Sequence, residues 1–177
     1  MKIVLVPEKV LLKKAKSVTS FGPKLLNTIE DMKKTLNACV DPVGVGLAAP
    51  QVGLSLRIFL MKPTTESPIG VFINPEILST NAVKPKKAKA EESDDSEPLE
   101  GCLSIPRIWG PINRATEVKV RWDDVHGKSQ EKTFKGFEAA IVQHEVDHLN
   151  GILFSHRLAE QKAPIYEERN KKLHELL

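Results

Sequence analysis

The chain has 177 residues, 41% of them hydrophobic and 28% charged, with a formal net charge of +3: enough for one domain with a real core, too little charge to argue for a sequence-specific nucleic-acid partner. Two cysteines build no disulfide framework, so a secreted, disulfide-held class is excluded and a reducing cytoplasm is the expected compartment. The opening MKIVLVPEKVLLKKAK breaks its apolar run at Pro7 and Glu8, which reads as neither signal peptide nor membrane span.

Residues 1 to 20 read as an extended arm. Pro23 suits the first position of a helix, and Leu25, Ile29, Met32 and Leu36 then recur on one face, giving an amphipathic N-terminal helix. Cys39 beyond it reads as a small buried hydrophobe. Gly44-Val45-Gly46-Leu47-Ala48-Ala49-Pro50-Gln51-Val52-Gly53 is a run of small residues around one amide. Such a run suits a tight connection, and it also lets a ligand approach the backbone while Gln51 offers amide donors to a substrate oxygen.

Short strands are expected at Arg57 to Met61 and at Val71 to Ile73. From Asn81 to Pro98 lysines precede glutamates and aspartates with almost nothing apolar between, so residues 81–98 read as a charged, flexible loop. Order returns at Leu99-Glu100-Gly101-Cys102-Leu103-Ser104-Ile105-Pro106. Val118, Val120 and Trp122 alternate with Glu117, Lys119 and Arg121 as a half-buried strand does, Asp123 to Gly127 turns, and Ser129 to Lys135 returns as the hairpin partner.

Phe137 to Leu149 carries apolar residues on nearly every side, which predicts a largely buried central helix ended by Asn150-Gly151. Within it, His144 and His148 stand at i and i+4 on one face, where two imidazoles can converge on a divalent ion, and Glu145 stands close enough to act on a water there. Buried histidines and a buried glutamate need partners, and a metal supplies them. After Phe154 the tail reads as polar until Pro164 opens a last, C-terminal helix carrying Ile165, Leu173, Leu176 and Leu177. Helix, strands, helices in this order predict an α+β fold, with mixed or antiparallel sheets around the metal-binding helix, in a single domain spanning 1–177.

Two histidines leave a tetrahedral ion short of a third protein ligand. His126, His156 and His174 have no strong local context, whereas Cys102 sits in an ordered segment after Gly101, and a thiolate suits iron or zinc. With GVGLAAPQVG, EGCLS and QHEVDH in this order, the chain resembles the peptide deformylase family from about Pro7 onward. The resemblance implies Cys102, His144 and His148 as metal ligands, Glu145 as catalytic acid/base, and Gln51 and the backbone N–H of Leu103 as donors to a formyl oxygen. It implies Val45, Gly46, Glu100 and Gly101 as the segments that flank the peptide in strand-like pairing, with Arg114 paired to Glu100. It further implies one divalent ion, Fe(II) first, with Zn, Ni or Co as alternatives, and removal of the formyl group from N-formylmethionyl nascent peptides with release of formate. The ribosome near its exit tunnel is the candidate macromolecular partner, with no membrane involved. The chain departs from the family pattern at Pro50 and at Trp109, where the family commonly has an arginine. A zinc endopeptidase would share the helix motif but has no use for Cys102. A non-catalytic homologue would have lost a ligand or the acid/base, and none is missing.

Overall fold

A computed structural model describes residues 1–83 and 99–176, so most of the charged stretch expected at 81–98 lies outside the described residues. In chain order the elements are α1 (Pro23–Ala38), β1 (Gly46–Ala48), β2 (Ile58–Met61), β3 (Gly70–Thr80), β4 (Leu99–Cys102), β5 (Ile105–Pro111), β6 (Glu117–Asp123), β7 (Ser129–Lys135), α2 (Gly136–Leu149), α3 (Phe154–Gln161), β8 (Tyr166–Arg169) and β9 (Lys172–Glu175). One antiparallel sheet runs β1-β2-β3-β6-β7, a second runs β4-β5-β8-β9, and the fold is α+β with antiparallel sheets.

The unbroken apolar sequence of β2 is explained by cover on both sides. Its side chains alternate, so Ile58 and Leu60 meet Leu25, Ile29, Met32 and Leu36 of α1, while Phe59 and Met61 join Phe72, Val118, Val120 and Phe134 against Ala139, Val142, Val146 and Leu149 of α2. α2 is thus wedged against the five-stranded sheet, and Phe59 stacks on Phe72 with ring centroids 4.4 Å apart. The α1 face and the β6–β7 hairpin match the expectation from periodicity, down to the register Val120↔Lys132 across the hairpin.

β3 is far longer than the short strand expected at Val71 to Ile73. It continues through a bulge at Asn74-Pro75, where a proline would otherwise end a central strand. Asn74 takes a left-handed φ of 50° and accepts from the Val18 N–H at 2.8 Å, while its amide donates to the Val18 carbonyl at 2.9 Å and to Asp123 at 3.1 Å. The N-terminal arm is mostly extended, as expected, with one 3-10 turn at Lys9–Leu12 that buries Leu11. It is pinned at two points: the Val4 N–H donates to the Gln51 carbonyl at 2.8 Å and the Val6 N–H to the Ser104 carbonyl at 3.1 Å.

The expected helix from Pro164 onward is corrected by the structure. That stretch forms the hairpin β8–β9, turned by Asn170 and Lys171 at φ 50° and 60°, the left-handed pair that a tight hairpin turn needs. Ile165, Leu173 and Leu176 happen to fall at helical spacing, but three scattered apolar residues bury little, and pairing of β8 with β5 (Trp109↔Tyr166) satisfies the backbone instead. The C-terminal helix lies earlier, as α3, in the segment expected to be a polar tail: Phe154 and Leu158, one turn apart, are its only buried residues and pack under Ile105, Ile108 and Ile112.

Candidate active site

α2 ends in a double C-terminal bond pattern, with the Gly151 N–H on the His148 carbonyl at 3.1 Å and the Ile152 N–H on the Asp147 carbonyl at 2.9 Å. Gly151 has φ 74°, and a Cβ there would stand 2.8 Å from the Leu12 backbone, so glycine is required on both counts. This fixes the last two turns of α2, which carry His144, Glu145 and His148, all buried. The turn after β4 brings Cys102 of the second sheet to meet them. His148 Nε2 lies 3.2 Å from Cys102 Sγ and 3.2 Å from His144 Nε2, and one ligand atom from each of the three residues falls within 4.8 Å of the others.

Gln51 closes another side. Its Oε1 accepts the Ala48 N–H at 2.8 Å, so the amide orientation is set and Nε2 faces Cys102 Sγ at 3.6 Å. Glu145 is 3% exposed, its Oε2 has no partner, and burial pushes its carboxyl up to about 7. The glycine of β1 makes its place: a Cβ at Gly46 would lie 2.2 Å from Glu145 Oε1. Within the small-residue run, Gly46 is therefore a steric necessity on the side facing α2.

Glu100 on β4 holds His144 from behind, with its Oε1 2.7 Å from His144 Nδ1, and it takes two bonds from Arg114 at 2.9 and 2.7 Å. Burial would raise the Glu100 carboxyl, but Arg114 and His144 bring it down to about 2. An acceptor at Nδ1 assigns that nitrogen a proton and leaves Nε2 as the nitrogen turned toward His148 and Cys102. Burial disfavours a charged imidazole at both histidines. At His144 the contacts with Cys102 and Glu100 overcome it and raise the ring's pKa well above normal, whereas at His148 burial and the neighbouring charge of His144 hold it well below. Soft sulfur, two converging imidazole nitrogens and a buried carboxyl with an unpartnered oxygen beside them fit a divalent metal.

These groups line a cavity of about 790 Å³ between the two sheets. Val45, Gly46, Gln51, Glu100, Gly101, Cys102, Leu103, His144 and Glu145, all expected from sequence, border it, and His148 completes the cluster from beneath. β1 and β4 are each the terminal strand of their sheet among the described residues. Because the Val45 carbonyl is taken by the Lys62 N–H at 2.7 Å, alternation in an antiparallel pair turns the N–H and C=O of Gly46 away from β2, toward the open side.

Trp109 lies over Gly101, where a Cβ would stand 2.7 Å from its ring, and its Nε1 donates to Glu168 of β8 at 3.2 Å. Sequence reasoning missed the apolar rim of the cavity, formed by Val43 and Phe137, which are 57% and 58% exposed. Phe137 belongs to a helix that is apolar on nearly every side, so periodicity gave no sign of which of its residues would face the opening.

Residues 1–164 match the family model described as polypeptide deformylase. The peptide deformylase of Desulfotalea psychrophila is 36% identical over 176 residues, covering 97% of this chain and 95% of its own length, and that of Pseudothermotoga lettingae is 42% identical over 156 residues, covering 86% and 80%. Among solved structures, the Thermotoga maritima peptide deformylase superposes with TM-score 0.73 at 38% identity over 88% of this chain and 95% of that one. The Legionella pneumophila enzyme does so with TM-score 0.75 at 39% identity over 89% and 85%. Fold, site and kinship agree, and this chain belongs to the polypeptide deformylase family.

Proposed function

We propose that Cys102, His144 and His148 hold one divalent ion, and that Glu145, Gln51 and the Leu103 N–H serve the removal of the formyl group from N-formylmethionyl peptides. The reaction class is that of the family: a metal-dependent hydrolase acting on a linear amide, releasing formate and a free N-terminal methionine. The observation that carries the residue assignment is the convergence of a thiol and two imidazole Nε2 atoms, with Glu145 buried and unpartnered beside them.

A bound ion would supply Lewis acidity toward water and toward the formyl oxygen. The chain supplies the rest. Glu145, with its carboxyl near neutrality, accepts the proton of the attacking water and delivers it to the leaving amine. Gln51 Nε2, oriented by its bond from Ala48, and the Leu103 N–H donate to the oxygen on which charge develops, each such donor contributing roughly 3 kcal/mol. The peptide lies as an added strand between β1 and β4, with Gly46 offering its outward N–H and C=O, and Val45, Glu100 and Gly101 forming the walls.

The donor set suits Fe(II), Zn, Ni and Co, and Fe(II) is the native ion in this reading. The substrate is a nascent chain, so the protein acts in the cytoplasm near the ribosomal exit tunnel; no described helix is long and apolar enough to cross a membrane. Residues 1–177 act as one catalytic domain, with α2 packed on one sheet and its histidines meeting Cys102 of the other. Protein purified without oxygen, assayed for metal content and for formate release from a formyl-Met peptide, tests the reading. One equivalent of iron with rapid formate release is expected. Stoichiometric metal with no formate released would overturn the function, and full metal occupancy in Cys102→Ser would overturn the ligand set.

A further inference from the structure

One charged residue of the QHEVDH stretch, Asp147, has no part in the mechanism. Asp147 lies between the two histidine ligands in sequence, one helical turn from His144, and is 7% exposed. A carboxylate so buried is costly unless it is bonded on all sides. Two guanidinium groups do this. Arg114 Nη1 donates to Asp147 Oδ2 at 2.7 Å, and Arg157 of α3 donates to both carboxylate oxygens, from Nε at 3.1 Å and from Nη2 at 2.6 Å. Arg157 is tied on its outer side to Glu160 at 3.0 Å. Arg114 is the shared member: its other two donors hold Glu100, and Glu100 holds His144 Nδ1. Charges alternate along the whole row, from Glu160 through Arg157, Asp147 and Arg114 to Glu100.

We propose that Asp147 and Arg157 are positioning residues: through Arg114 and Glu100 they hold the His144 ring so that its Nε2 points at Cys102 and His148. The proposal rests on His144 being a metal ligand. Geometry gives it its force, because Glu100 Oε1 serves His144 and Arg114 together. If Arg157 is lost, Asp147 keeps a single cationic partner and draws Arg114 toward itself. Glu100 then loses part of its fork, and the acceptor that fixes His144 is free to turn. Arg157 thereby acts on a ring it reaches only through three other side chains. Such outer partners typically govern metal affinity or activity by roughly 10- to 100-fold.

The test uses full-length protein loaded with Co(II), whose visible bands report on ligand geometry. Arg157 is about one-third exposed at its side chain (31%), so Arg157→Ala leaves the core intact. It is expected to weaken Co(II) binding by roughly tenfold or more, to shift the visible bands, and to lower kcat on a formyl-Met peptide with KM unchanged. Arg157→Lys, which keeps the charge but not the fork, should recover part of each loss. Arg121→Ala breaks an exposed pair with Glu76 and serves as the control, with no change in any of the three. Co(II) affinity and band positions in Arg157→Ala equal to wild type, with only the melting temperature lowered, would overturn the proposal. Should Arg157→Ala fail to fold, unchanged bands and affinity in Arg157→Lys would overturn it equally. Wild-type protein that binds no Co(II) would sink the ligand assignment itself, a separate result from Arg157 variants that bind like wild type.

Discussion

The central helix and the segment that follows it differ in how much each sequence constrains its structure. From Gly136 to Leu149 apolar residues cover nearly every side, so the helix is buried whatever its exact rotation, and the histidines and the glutamate inside it must find partners. From Phe154 to Leu176 apolar residues are few, and β9 is exposed along its whole length. There the local pattern fits a helix or a hairpin equally, and the choice falls to backbone pairing with β5. Burial makes a segment legible; an exposed segment is decided by its neighbours.

The sharpest way to break that contrast is to remove function from the buried region without removing its fold. Glu145→Gln preserves shape and leaves the three ligand atoms untouched. Formate release should fall by roughly 10²- to 10⁴-fold while metal content stays at wild type, the range expected for loss of a proton-transferring group. Wild-type turnover in a formate assay would end the acid/base assignment. Gly46→Ala comes next. Its methyl would sit 2.2 Å from Glu145 Oε1, so strand or carboxylate must shift, at about 1–3 kcal/mol of stability and roughly a hundredfold in rate. Equal rates and melting temperatures would show that the approach of β1 to Glu145 is looser than described.

Two substitutions sharpen the contrast within the C-terminal segment. Leu158 is fully buried on α3, and a Cβ at Gly110 would already collide with it at 2.6 Å, so Leu158→Ala should cost about 2–5 kcal/mol by urea denaturation. Leu173 on β9 is 48% exposed, and Leu173→Asp should change stability by less than about 0.5 kcal/mol. A large loss at Leu173 would mean that β9 is covered by something in solution.

The site was more legible than the periphery because its residues are constrained by chemistry as well as by packing. The spacing of His144 and His148, the amide of Gln51 and the segment around Cys102 carry signals that survive any error in element boundaries, and the fold gathers all of them at the cavity or just beneath it. The α1 face and the β6–β7 hairpin were legible from period alone. The length of β3 was not, because its continuation past Pro75 depends on Asn74 bonding to Val18 and Asp123, partners distant in sequence. Nor was the role of Asp147, since its two arginines come from the β5–β6 connection and from α3. The pairing of Arg114 with Glu100 came only through family resemblance, and the structure bears it out.

We read this site as one built for a formyl carbonyl. In the proposed reading Gln51 Nε2 and the Leu103 N–H donate to the formyl oxygen, and both residues line the cavity beside Glu145. An acetyl methyl would displace the oxygen from at least one donor, a loss of about 3 kcal/mol, or a hundredfold or more in rate. The direct measurement is kcat/KM for formyl-Met and acetyl-Met versions of one peptide, with formate and acetate quantified and the peptide followed by mass spectrometry. Rapid release of formate, acetate release slower by at least about a hundredfold, and intact internal bonds are the expected result. Similar rates for the two acyl groups, or cleavage within the peptide, would contradict it.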